Sequence, residues 1–204
     1  MVYVVSGPSG CGKSTLIGRA LQELTGLQFS VSYTTRPRRK SEKDGRDYHF
    51  VDDKVFREMI RARKFLEWAC VHGNLYGTSR EEVRTKSRKG IGLVLDIDVQ
   101  GAEKILKSAV KAVFVFVMPP DYGELRRRLL ARGENTPEDV DRRMQNARRE
   151  IRSYRKFDFV VINDDRDEAA RRLEAIILAA PCRRESLGDT LTPVLRSFSV
   201  KESR

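Results

Sequence analysis

Apolar residues along the chain fall into short dense runs, separated by longer stretches with helical spacing. Val2–Ser6 is an apolar run that stops at Gly7 and reads as a buried strand. Residues 92–97 and Phe159–Ile162 read the same way. Residues 113–118 are apolar at every position, the pattern of a central parallel strand covered on both faces, and Pro119 and Pro120 stop it. Between these runs the period changes. Leu16, Ile17, Ala20, Leu21 and Leu24 lie on one face of a helix over 14–24 that ends before Gly26. Helices are also predicted over 55–62, about 79–89, 99–107, Tyr122–Ala131, from Pro137 to about Tyr154, and 167–179 before Pro181.

Strands alternating with helices imply an α/β fold with a parallel sheet. Two segments break the alternation. Residues 32–89 contain two short strands, Phe65–Val71 and 75–78, around the turn His72-Gly73-Asn74, and read as an inserted lobe with its own small sheet. Within it, residues 30–50 are polar and basic with no clean period. Residues 132–143 read as a second, shorter insertion. The expected organisation is one domain over 1–182, with a core of 1–31 and 90–182, followed by a flexible, polar tail over 183–204.

Composition narrows the class. The chain has 204 residues, 40% hydrophobic and 34% charged, enough for one sizeable core. No apolar run approaches the roughly 18 residues of a membrane span, and the N-terminus reads as a strand rather than a signal peptide. Cys11, Cys70 and Cys182 fit neither a disulfide framework nor a zinc site, and only His49 and His72 could add to them. A cytoplasmic protein without a structural metal is expected. The net charge of +11 favours anionic partners without choosing among them. No nucleic-acid motif is present, so neither nucleic acid nor a membrane is expected as a partner.

The first chemical signal is Gly7-Pro8-Ser9-Gly10-Cys11-Gly12-Lys13-Ser14, followed by Thr15. It fits G-x-x-x-x-G-K-[ST] between a predicted strand and a predicted helix, the context a phosphate-binding loop needs. The glycines let successive N–H groups converge on one anion, and the helix N-terminus adds positive charge. Lys13 supplies a cation for the β- and γ-phosphates, and Ser14 a hydroxyl for Mg²⁺. This motif alone leaves GTPases, motor ATPases and small-molecule kinases open.

The second signal is Ser32-Tyr33-Thr34-Thr35-Arg36-Pro37-Arg38-Arg39. Its arginines, with Tyr48 and Tyr76, can surround one phosphate. Glu67 and Asp98 sit inside apolar strand-like runs, where carboxylates are costly without partners. Two such acceptors, with a hydroxyl donor for O6, would match the N1–H and N2–H₂ donors of guanine.

Here the chain resembles the guanylate kinase family. The similar strings are the phosphate loop, Phe-Ser-Val-Ser-x-Thr-Thr-Arg, Gly-x-Asp-Tyr-x-Phe-Val, Glu-Trp-Ala, Gly-Asn-x-Tyr-Gly, Leu-Asp-Ile-Asp-x-Gln-Gly and Ile-Asn-Asp-Asp, in family order over residues 2–180. The resemblance implies that Arg36, Arg39, Tyr48 and Tyr76 hold the GMP phosphate. It implies that Ser32, Glu67, Thr78 and Asp98 read guanine, and that Asp96 holds metal-bound waters. Arg132 and Arg143 match the lid arginines over ATP, and Asn163 matches a position near adenine. Pro37 follows Arg36 directly, a departure from the family spacing that leaves Arg38 as an alternative to Arg39. Thr78 stands where many relatives have serine. Trp68 reads as an ordinary core residue.

The implied reaction is ATP plus GMP (or dGMP) giving ADP plus GDP (or dGDP), with Mg²⁺ as cofactor, by a monomer or weak dimer. Lys13, Arg36, Arg132 and Arg143 are the implied catalytic residues. The alternatives are a phosphopeptide-binding scaffold module of the same family, which usually lacks an intact phosphate loop, and a related small-molecule kinase of the same fold, such as a ribose bisphosphate kinase, which has no need of base-reading carboxylates.

Overall fold

The computed structural model describes residues 1–71, 73–131 and 136–199. Its centre is a five-stranded sheet in the order β2-β7-β1-β8-β9, built from β1 (Val2–Ser6), β2 (Leu27–Phe29), β7 (Gly92–Asp96), β8 (Ala112–Met118) and β9 (Phe159–Ile162). Every neighbouring pair in it is parallel. Alternation along the central strands sorts their side chains to two faces. Tyr3 and Val5 pack with Leu16, Ile17 and Ala20 of α1 (Lys13–Glu23) and with Leu173 and Ile177 of α7 (Arg166–Ala179). Val2 and Val4 pack on the other face with Val83 of α3 (Arg80–Arg88) and Ala102 and Ile105 of α4 (Val99–Leu106). Both faces are therefore covered, which is why β1 and β8 carry almost no polar residue.

A second sheet stands apart in the order β4-β3-β6-β5, from β3 (Tyr33–Thr34), β4 (His49–Phe50), β5 (Phe65–Val71) and β6 (Asn74–Ser79). Strands β3 and β4 lie in the segment that shows no period in the sequence. At two residues each, they are too short to leave one. This sheet has its own small core, where Phe56 of α2 (Asp53–Arg61) stacks on Phe65 with ring centroids 4.5 Å apart. Burying Phe56 contributes about 1.5–3 kcal/mol. Gly77 makes the packing possible, because a Cβ there would lie 2.8 Å from the Phe65 ring.

Helix starts follow their caps. The side chains of Asp52, Ser79, Asp98, Thr136 and Asp165 each accept a backbone N–H in the first turn of the helix they precede. Helix α5 (Tyr122–Ala131) packs on α6 (Pro137–Glu150) through Leu125, Leu129, Val140, Met144 and Ala147. The α-helix read to about Tyr154 stops at Glu150, and the chain tightens into a 3-10 helix over Ile151–Lys156. In the region read as a tail, short helices span Arg184–Leu187 and Leu191–Ser197, with no buried residue. Among the described residues, no helix is long and apolar enough to cross a membrane.

Candidate active site

Parallel strands deliver their loops to one end of a sheet, and ligands of such sheets bind there. β1 runs directly into the phosphate loop. Gly7, Gly10 and Gly12 have φ of 143°, 92° and 99°, a region that favours glycine. Space is equally restrictive. A Cβ on Gly7 would lie 2.2 Å from Val117 O, and one on Gly12 2.2 Å from Asn163 Nδ2. Lys13 Nζ donates to Gly7 O at 2.8 Å and Pro8 O at 3.3 Å, so the amine is held over the loop. Burial pulls the Lys13 pKa down, but Cys11 first, then Asp96, Glu150 and Asp98, together outweigh this and leave it raised. The ammonium is therefore secure. Cys11, within the loop, is fully buried in the core, and burial pushes its thiol pKa up, so it is an inert packing residue.

Ser14 Oγ donates to Asp96 Oδ2 at 2.7 Å. Among the described residues, no group of three or more His, Cys, Asp or Glu gathers as metal ligands. A hydroxyl and a carboxylate beside a phosphate loop fit Mg²⁺, which takes few protein oxygens and keeps phosphate and water for the rest.

The same cleft, about 1200 Å³ in volume, reaches from Lys13 and Ser14 to Ser32, Arg36, Arg39, Tyr48, Glu67, Tyr76 and Asp98. The two threonines of Thr-Thr-Arg brace the backbone that carries Arg36. Thr34 Oγ1 accepts Arg36 N–H at 3.1 Å, and Thr35 Oγ1 accepts Leu75 N–H at 2.9 Å. The rings of Tyr48 and Tyr76 lie 5.9 Å apart, and the Arg36 guanidinium sits 5.5 Å from the Tyr48 ring centre. Burial, reinforced by Asp96 and Tyr76, holds the Tyr48 hydroxyl protonated as a donor. Arg36 Nη2 also donates to Glu42 Oε1 at 2.6 Å, while Glu42 Oε2 accepts Arg39 N–H at 2.8 Å. Glu42 is a residue that sequence reasoning missed. It lies in a stretch rich in charge, where no local signal separates it from a solvated side chain. Arg38 Nη1 donates to Glu42 O at 2.7 Å, so the loop carrying Pro37 folds back on its own backbone.

Glu67 is 5% exposed and accepts from Thr78 Oγ1 at 2.6 Å. Burial raises its pKa to about 7, Thr78 works against that, and the nearby Asp98 charge adds to it. Asp98 caps α4, accepting from Gly101 N–H at 3.1 Å and Gln100 N–H at 3.3 Å, and burial raises its pKa too. The two carboxylates converge over Gly101. A Cβ there would lie 2.6 Å from Glu67 Oε2 and 3.1 Å from Asp98 Oδ1. Gly101→Ala should therefore raise KM for GMP by about 5–150-fold, the equivalent of about 1–3 kcal/mol of overpacking. Alanine is the better helix former, so thermal unfolding should move little. An unchanged KM in a folded variant would show that the carboxylates can spread without loss.

On the far side of the loop, Arg143 Nη1 of α6 donates to Ser9 Oγ at 3.0 Å. Arg132 and the break at Gly133, with Glu134 and Asn135, lie outside the described residues, as does His72 of the β5–β6 turn. Asn163 Nδ2 donates to Cys11 O at 2.8 Å, which ties the end of β9 to the phosphate loop. Arg128 completes that junction, donating to Asn163 O at 2.9 Å and Cys11 O at 3.4 Å. A separate hollow of about 620 Å³ opens here, lined by Gly12, Thr15, Arg128 and Asn163 among others. The sequence gives no means of choosing Arg128 from its run of arginines. Trp68, read as core, is instead 38% exposed, because it lies on the face of β5 opposite Glu67.

Comparison with known proteins gives the family. The family model described as guanylate kinase matches residues 1–180. A guanylate kinase of Desulfotalea psychrophila is 46% identical over 190 residues, covering 92% of this chain and 94% of its own length. One from Thermotoga maritima is 43% identical over 176 residues, covering 86% and 85%. The crystal structure of guanylate kinase from Anaplasma phagocytophilum superposes with a TM-score of 0.81 at 34% identity, covering 97% of this chain and 94% of that one. A sugar kinase from Janibacter, at 14% identity and a TM-score of 0.51, shares the fold alone. With a family model spanning nearly the whole core and relatives this similar over most of their length, the chain belongs to the guanylate kinase family.

Proposed function

We infer that the chain is a guanylate kinase, a nucleoside monophosphate kinase that transfers the γ-phosphoryl group of ATP to the phosphate of GMP or dGMP. The observation that carries this reading is that buried Glu67 and Asp98 meet over Gly101 in the same cleft as Lys13 of the phosphate loop. A base reader and a phosphoryl-transfer loop share one space.

The roles follow from the chemistry of each group. The loop N–H groups and Lys13 bind the β- and γ-phosphates. Ser14 and Asp96 would hold Mg²⁺, which when bound supplies neutralisation of the phosphate charge. Arg36 and Arg39, with Tyr48 and Tyr76, orient the GMP phosphate. That phosphate is already anionic, so a GMP oxygen attacks in line without a side-chain base, and catalysis is positioning and charge stabilisation. Arg143 and Arg132 are assigned to the transferring group and the ATP side, and Asn163 to the side facing adenine. Glu67 accepts from N1–H and N2–H₂ of guanine, Asp98 from N2–H₂, and Ser32 and Thr78 complete the polar edge.

ADP release with Mg-ATP and each of GMP, dGMP, AMP, UMP and CMP tests the reading. Turnover with GMP and dGMP alone supports it. Comparable rates with all five, or none, would end it. Arg143→Ala should lower kcat about tenfold or more with little change in KM for GMP. A rise in that KM with kcat intact would move Arg143 from the ATP side to the acceptor side.

A further inference from the structure

Glu67 and Asp98 belong to different bodies. Glu67 stands on β5 of the small sheet, and Asp98 follows β7 of the central sheet and caps α4. Reading one flat base with both requires their separation to be held. Positions 98, 101 and 104 are three residues apart, so they line one stripe of the start of α4. Asp98 brings the carboxylate and Gly101 leaves the gap for Glu67. Lys104 reaches across to β5. Its ammonium donates to the backbone carbonyl of Trp68 and lies 4.8 Å from the centre of the Trp68 ring. Trp68 is the residue next to Glu67, and it is otherwise an exposed indole with no place in the reaction. The contact thus joins core helix to lobe strand one residue from the base reader.

Resting on the assignment of Glu67 and Asp98 to guanine, we propose that Lys104 is a positioning residue for base recognition, tying β5 to α4 through Trp68 so that Glu67 stays set against Asp98. It acts in two ways. The tie fixes the backbone that carries Glu67. Its charge also favours the ionised form of Glu67, the form that can accept from both guanine donors. The groups facing Glu67 from its neighbours are few. β6 presents the Thr78 hydroxyl, and α4 presents Asp98 and Lys104. From α3, Arg80 is engaged with Phe65 O, and Glu82 with Ser30 and Lys86. Lys104 is the cation in this set with a direct influence on Glu67.

The sign of the pH effect follows. Glu67 accepts from guanine when ionised, so GMP binding strengthens as pH rises through its pKa of about 7. Removing a nearby cation makes ionisation harder, so the inflection moves to higher pH. The test compares the wild type with K104M, K104R and E67Q between about pH 6 and 9. It measures kcat, KM for GMP and, from the emission of Trp68, the chain's single tryptophan, the Kd for GMP without turnover. Ionisations of GMP itself are common to all four proteins. The expected result for K104M is a Kd and KM for GMP about 3–10-fold higher at neutral pH, the size of an exposed cation contact. Its inflection shifts upward and kcat stays within about twofold of the wild type. K104R restores the affinity and the inflection, and E67Q loses the inflection. An unchanged Kd and inflection in K104M, with E67Q impaired, would overturn the role of Lys104 and leave Glu67 in place. An E67Q protein that binds GMP normally would remove the base-reading assignment, and the Lys104 proposal with it. A weaker Kd in K104M that arginine fails to rescue, with no shift of inflection, would reduce Lys104 to a packing residue and also overturn the proposal.

Discussion

With Mg-ATP saturating, AMP should be phosphorylated with a kcat/KM about 10⁴-fold below that of GMP. The size of the effect comes from burial. Glu67 is 5% exposed, and one of its oxygens is already committed to Thr78 Oγ1 at 2.6 Å. Guanine offers this site N1–H and N2–H₂. Adenine offers N1 as an acceptor and no 2-amino group, so its binding sets acceptor against acceptor and leaves the base-facing oxygens of two desolvated carboxylates without a donor. An unpaired buried polar group costs its full desolvation penalty, larger still when charged. The discrimination therefore comes from what AMP leaves unmade. IMP keeps N1–H and O6 but lacks the 2-amino group, and should fall between, as a poor but measurable substrate. GMP, then dGMP, then IMP, with AMP last, is the expected order. Glu67→Gln keeps the size of the side chain but replaces an acceptor with a donor, and should weaken GMP while leaving ATP binding intact. Equal kcat/KM for AMP and GMP would sink the guanine-specific assignment and leave the phosphoryl-transfer loop untouched.

Lys13→Ala should lower kcat about 10²–10³-fold, the loss expected for one preorganised donor aimed at developing charge. The fold should survive. Lys13 is at the start of α1, where alanine is a good helix former, and the bonds lost are those from Nζ to Gly7 O and Pro8 O. Those bonds hold the ammonium against the loop backbone. Lys13 lies on the ATP side of the cleft, so the catalytic loss should appear in kcat more than in KM for GMP. Circular dichroism and a melting curve separate lost chemistry from lost fold. Near-normal kcat in a folded variant would remove Lys13 from the reaction.

Much of this protein is legible in its sequence because the relevant physics is local. Val2–Ser6 and the β8 run declare strands covered on both faces, since they are short, apolar throughout and stopped by glycine or proline. The phosphate loop is declared by glycines whose φ values of 92° and 99° at Gly10 and Gly12 are unfavourable for other residues. Helix starts at Ser79 and Pro137 are carried by the capping residue or the first-turn proline itself. Family strings placed Glu67, Asp98 and Arg36 together in sequence order, and the cleft brings them together in space.

The rest depends on groups that meet only after folding. Glu42 is one charge among many along the chain, and becomes the partner of Arg36 when the loop turns back on itself. Arg128 is one of three consecutive arginines, and it is the turn of α5 against β9 that aims this one at Asn163 O. Strands β3 and β4 are too short to carry a period, and exist because β6 is there to pair with β3. Trp68 is apolar by composition yet exposed by position, since strand alternation gives the buried face of β5 to Glu67. The sequence by itself determined the parallel sheet and the phosphate loop, because short-range sterics and hydrophobic period encode them, while the candidate reading residues came from the family strings. Only the tertiary structure decided the meeting of Glu67 with Asp98 over Gly101, because it is made by residues 31 positions apart, one on β5 of the small sheet and one at the start of α4, and no local rule spans that distance.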